Sequence, residues 1–187
     1  MNTLIIDTSH SILAVGVVQN GEIIASKQEN VNKKQSELLL VYIDEVMSRS
    51  HLTPLDIDQI VVTNGPGSYT GMRIGLTFAK TYALANPSVH VFTIDTLATL
   101  VGNREGFAFI DARSGRVFGA FVKDGVVTDE KVYHVEELAA ISQNLFGDTI
   151  LVGTETTYGN IIENVVALES QWVPVDNPDT LVPNYLK

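Results

Sequence analysis

The chain has 187 residues, 45% of them hydrophobic, no cysteine and a formal net charge of −10. That length makes one domain or two small ones, with ample apolar material for a core. The acidic balance excludes holding nucleic acid by the chain's own field, and the missing thiols exclude disulfides and thiolate metal sites. No apolar run approaches membrane-spanning length. Ahead of the apolar run at residues 3–6 there is no basic region, so no signal peptide and no membrane association are expected, and a cytoplasmic location is.

In chain order, residues 3–6 read as a buried strand ending at Asp7. Residues 11–18 are apolar and β-branched, and Asn20-Gly21 is a hairpin turn into a strand over 22–28. Asn32 is placed to cap a helix over 33–49, whose Leu38, Leu39, Tyr42, Ile43, Val46 and Met47 follow the helical period. Thr53-Pro54 starts a short helical turn, and 59–63 is a strand. Then come a turn at Asn64-Gly65-Pro66-Gly67-Ser68, a helix over 70–85, a break at Asn86-Pro87, a strand over 89–93 and a short helix over 96–101.

The polar, glycine-flanked stretch 102–106 marks a subdomain boundary, giving 1–102 and 103–187. Beyond it, 107–110 is a strand ending at Asp111, 117–122 is a second, and Asp124-Gly125 turns into a third over 126–133. Residues 136–142 read as helical, 149–152 as a strand stopped by Gly153, and 157–165 as helical. The tail, with Pro174, Pro178 and Pro183, reads as mostly irregular but able to return to the first half.

The turn after the fourth strand carries the sharpest signal. A strand running through Gly65-Pro66-Gly67 into a helix can aim backbone N–H groups at an anion. Yet Thr70 stands where the dinucleotide fingerprint wants glycine, and Gly71-Met72-Arg73 is not the Gly-Lys-Ser/Thr of a Walker loop. In the helix, Gly71, Gly75, Ala79 and Ala83 recur every four residues and form one stripe. Such a stripe serves either packing on the chain's own sheet or close approach of a helix from another subunit.

The two halves repeat a pattern of strand, aspartate and hairpin, with Gly21 as far beyond Asp7 as Gly125 is beyond Asp111. Two such units look like the ribonuclease-H-like subdomains of the actin/hexokinase ATPase superfamily, an α/β architecture. Asp7 and Asp111 could face each other across a cleft and hold magnesium or act as acid and base. ATP-using members of that superfamily have glycine beside these aspartates, whereas here Thr8-Ser9-His10 and Ala112-Arg113-Ser114 follow. The expected nucleotide site is therefore degenerate, with Asp7, Gly65, Gly67, Ser68, Arg73, Asp111 and Arg113 as its vestige. Each aspartate is expected to accept hydrogen bonds from its own following turn. No two of His10, His51, His90 and His134 share metal-ligand spacing, and Ser68 is not in a nucleophile elbow. No cofactor, no metal and no catalytic residue is expected. Arg73, in the first turn of its helix, could contact a phosphate or a partner carboxylate, or brace the loop.

Gly65-Pro66-Gly67-Ser68-Tyr69-Thr70-Gly71-Met72-Arg73-Ile74-Gly75 resembles the signature of the TsaB (YeaZ) family. Asp111-Ala112-Arg113 resembles a second landmark of that family and Pro183-Asn184-Tyr185-Leu186-Lys187 its C-terminal one. Gln35-Ser36-Glu37 stands where the family commonly keeps His-Ser-Glu, and little room is left between 165 and 176 for a helix that many relatives carry. The resemblance implies a non-catalytic subunit supporting the catalytic subunit TsaD, with the ATPase TsaE completing the assembly. That assembly moves threonylcarbamoyl onto adenosine 37 of ANN-decoding tRNAs, and tRNA would be met only through the complex. It further implies a homodimer when the chain is alone. The expected interface for both pairs the stripe Gly71, Gly75, Ala79 and Ala83 with Leu39, Tyr42, Ile43 and Met47 of the preceding helix. The rivals are a stand-alone sugar-type kinase, a glycoprotease-like metalloprotease, or a purely homodimeric module.

Overall fold

The computed structural model describes residues 1–155 and 158–186. Strands β1 (Asn2–Asp7), β2 (Ile12–Gln19) and β3 (Glu22–Asn30) form an antiparallel meander. Helix α1 (Gln35–Arg49) leads to β4 (Gln59–Thr63), α2 (Tyr69–Ala85) to β5 (His90–Ile94), and α3 (Thr96–Val101) closes the first half. Both β4 and β5 run parallel to β1. In the second half, β6 (Glu105–Arg113), β7 (Arg116–Lys123) and β8 (Val126–His134) form another meander, and β9 (Leu145–Gly147) lies parallel to β6. Helix α4 (Ile161–Ala167) and a two-residue β10 (Val173–Pro174) follow. Strand order is β10-β5-β4-β1-β2-β3 in one sheet and β8-β7-β6-β9 in the other. Both sheets put a first strand between an antiparallel hairpin and a parallel neighbour. The ribonuclease-H-like pattern therefore occurs twice.

Alternation along β1 explains the layers. Leu4 and Ile6 face a core built with α1 and α2, while Ile5 faces a second core shared with α3, α4 and the other sheet. Ile60 and Val62 against Val61 repeat this on β4. The first sheet is thus buried on both faces, which is why β1 reads as a continuous apolar run. All six residues of α3 are buried in the middle layer. The far face of the second sheet, with Phe107 and Phe109, is covered by the 3₁₀ segment Val135–Ala140 and its neighbours, not by a long helix.

Several sequence expectations are corrected. Helix α1 starts at Gln35, because Asn32 and Lys33 both have positive φ, and Asn32 is not its cap. Thr149–Val152 is a 3₁₀ turn closed by left-handed Gly153; the strand is Leu145–Gly147, which starts four residues earlier. Helix α4 begins at Ile161, where the Asn160 side chain accepts from the Glu163 N–H; of the helix expected from 157, residue 157 lies outside the described residues. The tail is less irregular than expected, since β10 pairs with β5.

The largest correction concerns the small-residue stripe. Gly71, Gly75 and Ala79 are buried against this chain's own β1 and β4. The Thr8 hydroxyl donates to the Gly71 carbonyl (2.7 Å) and accepts from the Gly75 N–H (3.2 Å), bridging one rung of the α2 ladder. A Cβ on Gly75 would lie 2.7 Å from that hydroxyl, and one on Gly71 would meet the Thr8 carbonyl. The helix is small there so that Thr8 can reach it. Leu39, Tyr42 and Met47 are likewise core residues, while Ile43 and Ala83 are half-buried at its edge. Gly71, Gly75, Ala79, Leu39, Tyr42 and Met47 are therefore turned inward, and Ile43 and Ala83 alone of the expected interface residues reach the surface in part.

At the N-terminus of α3, Asp95 accepts from the Ala98 N–H (3.0 Å). Burial first, then the Glu130 carboxyl reaching it from β8, push Asp95 up to about 8. The native state therefore keeps a proton that the unfolded chain releases near pH 4, so stability should fall as pH rises from about 4 toward 8. Glu130→Gln, which removes the repelling acid, should flatten that fall in urea midpoints taken between about pH 5 and about pH 9. An unchanged slope would refute the assignment. Separately, Ala79→Leu should cost about 1–3 kcal/mol of stability by overpacking, read by urea denaturation. A folded variant with the wild-type midpoint would place the stripe outside the core.

Candidate functional site

The two sheets meet beside a cleft of about 720 Å³, lined among others by Ser11, Ile12, Lys33, Ser68, Ile74, Asp111, Arg113 and Asp148. Of the expected vestige, Ser68, Asp111 and Arg113 line it. Asp7 does not open into it. That carboxylate is fully buried and accepts from the Ser9 N–H (2.8 Å), the Ser9 hydroxyl, the Thr63 hydroxyl (2.8 Å) and His10 Nε2 (3.1 Å). Burial alone would raise its pKa. The His10 ring beside it, with the hydrogen bonds from His10 and Ser9, outweighs burial and holds the carboxyl below the usual range.

His10 carries the network onward. Its Nδ1 accepts from the Ile12 N–H (3.2 Å), so Nε2 is the nitrogen that donates to Asp7. Its ring stacks on Tyr158 at 5.0 Å. The Tyr158 hydroxyl donates to Asp148 and takes a hydrogen bond from the Ser11 hydroxyl (2.9 Å). Burial, then the Asp148 contact, raise the Tyr158 pKa. Asp148 in turn accepts from the Asp111 N–H (2.7 Å). Asp7 and Asp111 are thus joined through three residues, His10, Tyr158 and Asp148, and do not face each other across open space. The Asp111 side chain accepts from the Arg113 N–H (2.8 Å) and pairs with its guanidinium (3.0 Å).

The glycine loop is filled by its own chain. Gly67 lies against the Ser9 carbonyl, which also accepts from the Ser68 N–H (2.6 Å). Gly65, with φ +116°, leaves room for the Asn184 carbonyl, and the Asn184 N–H donates to Asn64 (2.7 Å). The Gly65–Pro66 bond is cis. Ser68 caps α2 by accepting from the Gly71 N–H (3.3 Å). The anion cradle that the glycines suggested is occupied by the Thr8–Ser9 turn and the C-terminal tail. Arg73 lies away from the cleft, with its guanidinium 4.6 Å over the Tyr69 ring.

Sequence reasoning passed over His10, Ser11, Asp148 and Tyr158. His10 sits three residues from Asp7, which is a readable signal for a side-chain pair. Tyr158 and Asp148 are more than a hundred residues from His10 in the chain and gave none. What the arrangement does chemically is bind the two halves together and hold two carboxylates in fixed, already occupied hydrogen bonds.

A family model described as "TsaD: tRNA N6-adenosine threonylcarbamoyltransferase" matches residues 21–165. The Bacillus subtilis tRNA threonylcarbamoyladenosine biosynthesis protein TsaB is 30% identical over 178 residues, covering 89% of this chain and 77% of that protein. Its Escherichia coli counterpart is 29% identical over 170 residues, covering 82% and 71%. Among solved structures, a Pseudomonas aeruginosa protein described as similar to the peptidase YeaZ superposes with a TM-score of 0.80 at 21% identity, covering 100% of this chain and 99% of that one. YeaZ from Pseudomonas aeruginosa superposes with a TM-score of 0.75 at 17% identity. The structural matches establish the fold, and the identity to the Bacillus subtilis protein establishes that the chain belongs to the TsaB (YeaZ) family of tRNA threonylcarbamoyladenosine biosynthesis proteins.

Proposed function

We propose that the chain is a non-catalytic cytoplasmic subunit that binds and supports a TsaD transferase while threonylcarbamoyl is moved onto adenosine 37 of tRNA. In this reading TsaE completes the assembly, the free chain pairs with itself, and tRNA is met only through the complex. The acidic charge of −10 supports the last point, because the chain's own field repels a polyanion. The filled glycine loop and the internally bonded Asp7 favour a support role over a kinase or protease: both carboxylate and loop are spent on holding the fold.

The observation that carries the proposal is the outer face of α1 and α2. Leu40 (64% exposed) and Val41 (54% exposed) project from α1, which also keeps Ile43 only half-covered. On α1, Glu45 and Arg49 turn toward β3, so Leu40 and Ile43 lie on the flank toward α2, where Ile74 and Phe78 are half-buried. Two adjacent helices presenting aliphatic and aromatic side chains outward form a surface that a second helical pair can cover. In this reading the interface uses the exposed neighbours of the stripe on the same two helices.

Leu40→Glu should weaken capture of TsaD at least about tenfold in calorimetry and shift the free chain toward monomer in light scattering. Its circular dichroism and melting temperature should match the wild type, since Leu40 leaves the core untouched. A folded Leu40→Glu chain that still dimerises and binds TsaD at wild-type affinity would defeat this placement.

A further inference from the structure

Helix α2 carries Arg73 and Lys80 and no carboxylate, in a chain that holds 22 acidic residues. Lys80 donates to the Asp179 carbonyl (3.1 Å). Arg73 is exposed and, among the described residues, makes no ion pair and no hydrogen bond, in contrast to Arg49 and Arg113, which both pair with acids. It is nevertheless held in place. Its guanidinium lies 4.6 Å over the Tyr69 ring, one helical turn earlier, and Tyr69 stacks on Tyr185 of the tail at 5.2 Å and 23°. The tail is itself anchored, by Asn184 on Asn64 (2.7 Å) and by Leu181 against the α1–α2 core.

We propose that Arg73 is a docking point for a carboxylate on the protein partner, presented by the Tyr69–Tyr185 stack. The inference rests on the partner reading above and adds a specific contact to it. A guanidinium stacked on an aromatic ring has its long side chain already ordered, so engaging an acid costs little further entropy. Its fork of N–H donors matches a carboxylate in two parallel hydrogen bonds. Tyrosine and arginine together are the residue types that dominate interface energetics. Arg73 and Ile74 flank the exposed Thr70 and Thr77 on the solvent side of α2, about 100° apart round the helix, so a body that covers that side reaches both. A single acid on a protein fits better than a phosphate backbone, since the remainder of the chain repels a polyanion.

The test is calorimetry of the full chain against the TsaD of the same organism, at two salt concentrations. Arg73→Ala should bind at least about tenfold more weakly, and its deficit should shrink at high salt. Arg73→Lys should recover little, because an ammonium keeps the charge but not the planar fork. Tyr185→Leu should give a smaller loss by freeing the guanidinium. All three should melt with the wild type, as Arg73 and Tyr185 lie outside the core. Wild-type affinity in Arg73→Glu, alongside a loss in Leu40→Glu, would overturn this proposal and leave the partner reading standing. A wild-type chain that does not bind TsaD would overturn both. Unchanged TsaD affinity with lost tRNA binding by the assembled Arg73→Glu complex would assign the site to phosphate and likewise overturn it.

Discussion

The Asp7 carboxylate is a charge held out of contact with water, and a buried charge survives only if its environment replaces the hydration it lost. Four donors do so here, drawn from the turn after β1 and from Thr63 at the end of the neighbouring strand. That demand fixes the turn: Ser9 must fold back over Asp7, and His10 must present Nε2 to it. With the turn fixed, Thr8 points at α2, and its hydroxyl sets how closely that helix can approach the sheet. From His10 the constraint passes by ring stacking to Tyr158 and by hydrogen bonds to Asp148 and Asp111. The ends of the central strands in both sheets are thus positioned by one connected polar network.

A network so fully satisfied bears on chemistry. A carboxylate that is to hold a metal or accept a proton from a substrate needs a lone pair facing the ligand and a charge that can be modulated. Asp7 faces inward, and its pKa is held low by the groups that surround it. The same holds for the loop glycines. A glycine that lets a phosphate approach the backbone must leave that space open, and here the Ser9 and Asn184 carbonyls occupy it. Both the Asp7 carboxylate and the loop glycines are thus engaged by groups of this chain.

Much of the fold was legible because its signals are local. The hairpins at Asn20-Gly21 and Asp124-Gly125 follow from residues that tolerate positive φ, which all four adopt. The apolar runs around Ile5, Val61 and Phe109 mark strands that are buried on both faces. For the stripe on α2, four-residue spacing states only that a backbone comes close, not which one. Thr8, sixty-three residues away in the chain, is the group that comes close. On α1, Leu39, Tyr42 and Met47 belong to the core, and the surplus apolar surface is Leu40 and Val41, which the helical period does not single out. The contacts of Tyr158 with His10 and Ser11 are set by how the halves dock, which no local pattern encodes.

The tail shows the same dependence on long-range closure. After α4 the chain crosses back to the first sheet through β10, then runs along α2 to the start of that helix. Gly65 is open on one side because Asn184 must fit there, and Tyr69 is flat against Tyr185. The signature loop is therefore completed by residues more than a hundred positions later. Its shape reports the docking of the whole second half on the first, through Trp172 against Phe92 as well as through the His10–Tyr158 stack. An outer surface on α2 that begins at this loop inherits that dependence: the helix is presented in one orientation only when both halves and the tail are in place.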